Sequence, residues 1–279
     1  MEQRAGQPTT MKEPSPFRSS EPAERPAPAE GAPRLHVILD FDGTLVDPNV
    51  AIVLVEAFVE NGHEVAHEID NLLHTGKIGL REAWQRQAAL LPGDRIDEMA
   101  QFVRDRVPLR AGAREFLDLA RRHAIPVTIV SGGLEFYIRA VLDREGLDLP
   151  IRSDRLMTRP GGPPEVIHPY GHPTCRLCGI CKAAIVENGF PSYRSVFVAD
   201  GSTDRYGAQV ADIVFARHRL LDYCRKSGIP CFAFNDFFPV VEQFRRWFEA
   251  GEALPPPRAR GLTGSPCPIS QRLATPDSP

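Results

Sequence analysis

Two carboxylates, Asp40 and Asp42, stand two positions apart at the end of the apolar run LHVIL and are followed at once by Gly43-Thr44. A strand gains nothing from burying an unpaired charge, so these groups must meet a cation or a set of hydrogen-bond donors. Two other apolar runs end in the same manner. Pro126 to Ser131 runs into Gly132-Gly133, and Ser195 to Ala199 runs into Asp200-Gly201-Ser202-Thr203-Asp204. Lys182 opens a further helical stretch. The chemistry these residues share is that of a phosphate beside a hard divalent cation. Asp40, Asp200 and Asp204 offer the oxygen ligands that Mg²⁺ prefers. Gly43-Thr44 and Ser131-Gly132 present backbone N–H groups to an anion at the starts of the following helices, and Lys182 adds a fixed positive charge. A phosphoryl group neutralised by metal and lysine admits a carboxylate as nucleophile.

Convergence on one spot requires that the three strand ends be neighbours in a sheet. The runs HVILD, PVTIVS, SVFVAD, DIVFA at Asp212 to Ala216 and CFAF at Cys231 to Phe234 are separated by amphipathic stretches. That alternation predicts an α/β domain, a doubly wound, Rossmann-like parallel sheet covered on both faces. In such a sheet ligands bind beyond the carboxyl ends of the strands. Helices are expected over about 112–123, 134–144, 181–188, 204–210 and 239–249. Residues 49–107 keep a helical pattern without a strand run and read as a small helical cap inserted after the first strand. Residues 153–180, rich in Gly, Pro, His and Cys, read as an excursion of short strands and turns. The core then comprises 34–48 and 108–251. The tails, 1–33 and 252–279, hold seven prolines each among polar and small residues, a composition that predicts disorder.

The four elements, taken in order, resemble the motifs of the haloacid dehalogenase (HAD) superfamily of phosphatases: Asp40-Phe41-Asp42-Gly43-Thr44, then Ser131, then Lys182, then Asp200 with Asp204. The resemblance covers about Leu35 to Phe248. It implies that Asp40 attacks phosphorus to form an aspartyl-phosphate and that Asp42 serves as acid and then base. It also implies that Mg²⁺ is held by Asp40, the main-chain carbonyl of Asp42 and Asp200, with Asp204 alongside, while Thr44, Ser131, Gly132 and Lys182 hold the phosphoryl group. Ala199 replaces the Gly often found before the fourth-motif Asp. SGGLEFYI, CGICKAAIV and ARHRLLDYCRKSGIPCFAFNDF resemble the methionine-salvage branch, which acts on 2-hydroxy-3-keto-5-methylthiopentenyl-1-phosphate. The related phosphoserine phosphatases place a Glu seven residues after the acid/base Asp; here that position is Asn49, which counts against phosphoserine.

Three of the six cysteines lie in CRLCGIC. Cys175, Cys178 and Cys181 with His168 or His172 could form a structural Zn²⁺ site, remain free thiols, or form a disulfide. Cys224 and Cys231 read as small buried hydrophobes. In the cap, Phe58, Trp84 and Phe102 are expected in the core, and His63, His67 and His74 are expected as scattered surface residues rather than lining the cap mouth.

A formal net charge of −3 and a pI near 6.3 argue against nucleic acid as a partner. No apolar stretch approaches a membrane span, and the first residues lack the apolar core of a signal peptide, so a cytoplasmic enzyme is expected. The reading is a Mg²⁺-dependent phosphomonoesterase for a small phosphorylated metabolite, of unspecified oligomeric state. The alternatives are phosphoserine phosphatase-like or phosphotransferase activity, phosphonate cleavage, and a non-catalytic HAD-like binding protein.

Overall fold

Leu35, Val37 and Leu39 pack into one apolar cluster while Ile38 packs into another, the two-residue alternation of a strand buried on both faces. This strand, β1 (Leu35–Leu39), is the centre of a seven-stranded sheet. The computed structural model describes residues 34–258 except 160, 161, 163, 174, 190 and 191. The tails expected to be disordered therefore lie outside the described residues, apart from 252–258, which form no helix or strand.

The other strands are β2 (Val127–Leu134), β3 (Ile151–Met157), β4 (Glu165–Ile167), β5 (Arg194–Ala199), β6 (Ile213–Ala216) and β7 (Phe232–Ala233). Their spatial order is β4-β3-β2-β1-β5-β6-β7, and β4 alone runs antiparallel, against β3. β1 pairs in parallel with β2 on one side and β5 on the other. The residues after these strands, Asp40 and Asp200, thus meet Ser131, in β2, at one edge of the sheet.

Four helices follow β1: α1 (Val50–Phe58), α2 (Gly62–His74), α3 (Leu80–Ala88) and α4 (Ile96–Arg106). They form the cap. Asn49 caps α1, its side chain accepting from Ala51 N at 3.0 Å. Phe58 and Phe102 meet edge to face at 5.4 Å, the expected core role. The remaining helices, α5 (Ala113–Arg122), α6 (Glu135–Arg144), α7 (Lys182–Asn188), α8 (Arg205–Val210), α9 (His218–Lys226) and α10 (Phe238–Phe248), cover the two faces of the sheet. No helix among the described residues is long and apolar enough to cross a membrane.

The excursion is more regular than its composition predicts. Its first part is a full strand, β3, parallel to β2. The apolar signal fails there because the buried positions are Arg152, Ser153 and Asp154. Asp154 sits 2.9 Å from His168 Nδ1, and Gly179 crosses this pair so closely that a Cβ would lie 1.9 Å from Asp154 Oδ2.

Candidate active site

The turn after β1 brings the first motif to the sheet edge. Gly43 adopts φ +71°, and a Cβ there would lie 2.5 Å from Asp200 Oδ2, so backbone shape and close approach both require glycine. Arg110, buried behind the turn, fixes it by donating to the carbonyls of Thr44 and Gly43, each at 2.9 Å. Arg217 adds a second donor to Gly43 O.

Lys182, at the start of α7, bridges two carboxylates, with Nζ 2.6 Å from Asp40 Oδ1 and 2.5 Å from Asp204 Oδ1. Thr44 Oγ1 lies between Asp40 Oδ2 at 3.3 Å and Asp200 Oδ1 at 3.1 Å. The Thr44 hydroxyl therefore organises carboxylates. Asp204 is fixed further by Gly201 N at 2.8 Å. One oxygen from each of Asp40, Asp200 and Asp204 falls within 4.8 Å of the others.

Charge does not balance in this cluster. Three carboxylates face one ammonium, and burial removes the water that would screen them. Burial, then Asp204, pushes the Asp40 carboxyl well above the usual carboxylate range, against Lys182. Burial and Asp204 likewise raise Asp200 to about 6. Burial disfavours the Lys182 ammonium, but Asp204 and Asp40 hold it charged beyond the ordinary lysine range. An all-oxygen donor set with surplus negative charge is what a hard divalent cation fits, so the residues present suit Mg²⁺.

Asp42 faces a different environment. Its Oδ1 accepts from Val50 N at 2.8 Å, and its Oδ2 accepts from the Tyr137 hydroxyl at 2.7 Å. Ser131 Oγ is 3.5 Å from the same Oδ2 and accepts from Gly133 N at 3.0 Å. Burial raises the Asp42 pKa despite these donors. Gly133 is required here, since a Cβ would lie 1.9 Å from Tyr137 Oη and 2.4 Å from Asp42 Oδ2.

Beside these groups lies a cavity of about 480 Å³ lined on the other side by α1, α2 and α3. Trp84 reaches across it, the indole N–H donating to the Gly132 carbonyl at 2.6 Å, so this residue is both core and cavity wall. His74 corrects the expectation of a scattered surface residue. It lines the cavity, 2.9 Å from Asp70 and 3.2 Å from Ser202 Oγ. His63 and His67 stay exposed beside Glu56.

The haloacid dehalogenase-like hydrolase model matches residues 37–209. The chain belongs to that family. Among its HAD relatives, the 2-hydroxy-3-keto-5-methylthiopentenyl-1-phosphate phosphatase of Geobacillus kaustophilus is 31% identical over 76% of this chain and 96% of its own length. The enzyme of that name from Exiguobacterium sp. is 29% identical over 74% of this chain and 94% of its own. A solved phosphoserine phosphatase, captured as a phospho-aspartyl intermediate analogue, shares the fold with a TM-score of 0.59. It is 20% identical over 76% of this chain and 99% of its own.

The structure thus assembles Asp40, Asp42, Thr44, Ser131, Gly132, Lys182, Asp200 and Asp204 at one HAD site. It does not assemble the zinc site. Cys175, Cys178 and Cys181 are thiols outside any disulfide, and no group of three metal-ligand atoms among the described residues includes a cysteine. His168, one of the two histidines considered as the fourth ligand, is turned to Asp154 instead. The low thiol pKa of Cys175, about 5, has a local cause in hydrogen bonds from Cys178 and from the backbone of Leu177 and Cys178. Sequence reasoning missed Tyr137 and Arg110. The one available signal was Tyr137 six residues after Ser131, on a helix entering directly from the second motif.

Proposed function

We propose that this HAD hydrolase is a Mg²⁺-dependent phosphomonoesterase working through a phosphorylated Asp40. The observation that carries the reading is the division of labour between two carboxylates two residues apart. Asp40 is clamped by Lys182 and Thr44 within the acidic cluster, whereas Asp42 stands outside it and is held by its own donors, the Tyr137 hydroxyl and Val50 N. Environments that separate two carboxyl groups in this way assign nucleophile and acid/base.

Asp40, Asp200 and the Asp42 main-chain carbonyl would hold Mg²⁺, with Asp204 beside them. The bound cation supplies positive charge that keeps the carboxylates ionised and offsets the phosphoryl charge. Asp40 attacks phosphorus, the bond to the ester oxygen breaks, and Asp42 gives that oxygen its proton. Asp42, now a carboxylate, takes a proton from water as the water oxygen attacks phosphorus, freeing phosphate and Asp40. Lys182, Ser131 and Gly132 border the cavity where the phosphoryl group sits, and the cap excludes bulk water.

For the substrate, the methylthiopentenyl-phosphate phosphatases support a small, uncharged leaving group. Asn49 supports it as well, since its side chain is committed to capping α1 and replaces a carboxylate that would bind an amine. Phosphate release from a panel of small phosphomonoesters, with and without Mg²⁺, by wild type and Asp40→Asn tests the reading. Turnover that survives Asp40→Asn would overturn it, and product analysis separates hydrolysis from transfer to another acceptor.

A further inference from the structure

One face of α3 walls the cavity through Leu80, Ala83, Trp84 and Gln87. The spacing is that of a helical stripe, and Trp84 sets its distance from the core through the Gly132 carbonyl. Three of the four residues are apolar. The fourth, Gln87, is only 6% exposed, and its carboxamide makes no hydrogen bond with any described residue. Its polar atoms are not among the fully enclosed unpartnered ones, so the carboxamide opens on the cavity and offers a ligand there a donor and an acceptor that no protein group occupies. The other polar cap residues at the cavity already have partners. Asp70 and His74 hold each other, and Asn49 caps α1.

We propose that Gln87 reads the leaving group of the substrate, its amide binding a neutral hydroxyl and carbonyl pair near the phosphoryl group. This inference rests on the phosphatase reading above. A carboxamide presents a donor and an acceptor side by side, the complement of a leaving group that carries both without charge. The surrounding Leu80, Ala83 and Ile69 suit an apolar remainder.

The test compares wild type, Gln87→Leu and Gln87→Glu on dihydroxyacetone phosphate, a hydroxy-ketone phosphate, and on an aryl phosphate that lacks both groups. Gln87→Leu is expected to lower the ratio of kcat/KM for the hydroxy-ketone over the aryl phosphate by about tenfold, mainly through KM. Its melting temperature is expected to match that of wild type, because the amide opens on the cavity and makes no hydrogen bond within the protein that the substitution would break. Gln87→Glu, which keeps the acceptor and loses the donor, is expected to lower the same ratio. An unchanged ratio would overturn the assignment, as would equal losses on both substrates with a lowered melting temperature, the signature of a packing role. Aryl phosphate turnover by wild type keeps the two failures apart. Its absence would bring down the phosphatase reading and this inference with it.

Discussion

The hydroxyl of the buried Tyr137 donates to Asp42 Oδ2 at 2.7 Å where Asp42 borders the cavity. It is one of the donors that pull the Asp42 pKa down against burial. Tyr137→Phe keeps the ring and removes the donor, so the Asp42 pKa should rise. The pH at which Asp42 becomes available as a base should rise with it. The pH profile of kcat/KM checks this: the limb set by that ionisation should move to higher pH, with kcat at neutral pH down about tenfold. A profile that stays in place would show that Tyr137 only fills space.

Replacing either carboxylate should stop turnover for different reasons. Asp40→Asn removes the nucleophile and leaves no detectable phosphate release. Asp42→Asn keeps the nucleophile but loses proton transfer, at a cost of about 10²- to 10⁴-fold in kcat. Burst kinetics with an activated aryl phosphate separates the two, since Asp42→Asn should still release one equivalent of phenol and Asp40→Asn none.

Asp200, raised to about 6, makes both metal affinity and stability depend on pH. Metal binding requires the carboxylate, so apparent Mg²⁺ affinity should weaken below about pH 6, with proton release on binding visible by titration calorimetry in buffers of different ionisation enthalpy. The sign for stability is opposite to that of a salt-bridged Asp. The folded metal-free protein holds this proton up to about pH 6, whereas the unfolded chain loses it near pH 4. Its stability contribution therefore falls as pH rises through that window. Melting curves in chelator should show a higher midpoint at pH 5 than at pH 7, and Mg²⁺ should raise the midpoint more at pH 7.

Gly133→Ala would place a methyl group 1.9 Å from Tyr137 Oη. Both neighbours in reach, Tyr137 and Asp42, belong to the acid/base pair, so relief of the clash must displace one of them. We expect a loss of roughly 1–3 kcal/mol in urea denaturation and a fall in kcat larger than any change in KM. Wild-type stability and rate in this variant would show that the turn relaxes freely.

Much of the site was legible because each motif ends an apolar run. Asp40 and Asp200 follow strands that nothing but a central parallel pair explains, and the pairing of β2, β1 and β5 then brings Ser131 to them. What escaped is what depends on side chains distant in the chain. Arg110 reaches back 66 residues to Thr44 O, and Trp84 reaches forward 48 to Gly132 O. Neither pairing leaves a local pattern. β3 was legible only as part of an excursion of short strands, and not as a member of the main sheet, because its buried residues are polar and the partner of Asp154, His168, comes from beyond β4. The cysteines are the opposite case. Their spacing permits a metal knuckle, but the only ligand clusters among the described residues form elsewhere.

The bond from Val50 N to Asp42 Oδ1 ties the proton carrier to the first residue of α1, where the cap begins. Helix N-termini favour negative charge, so this contact steadies the ionised form of Asp42. A hinge movement that lifted the first turn of α1 would withdraw that donor and strengthen the hold of Asp42 on its proton. Seating the helix would weaken it. Cap position and acid strength are thus two readings of one hydrogen bond.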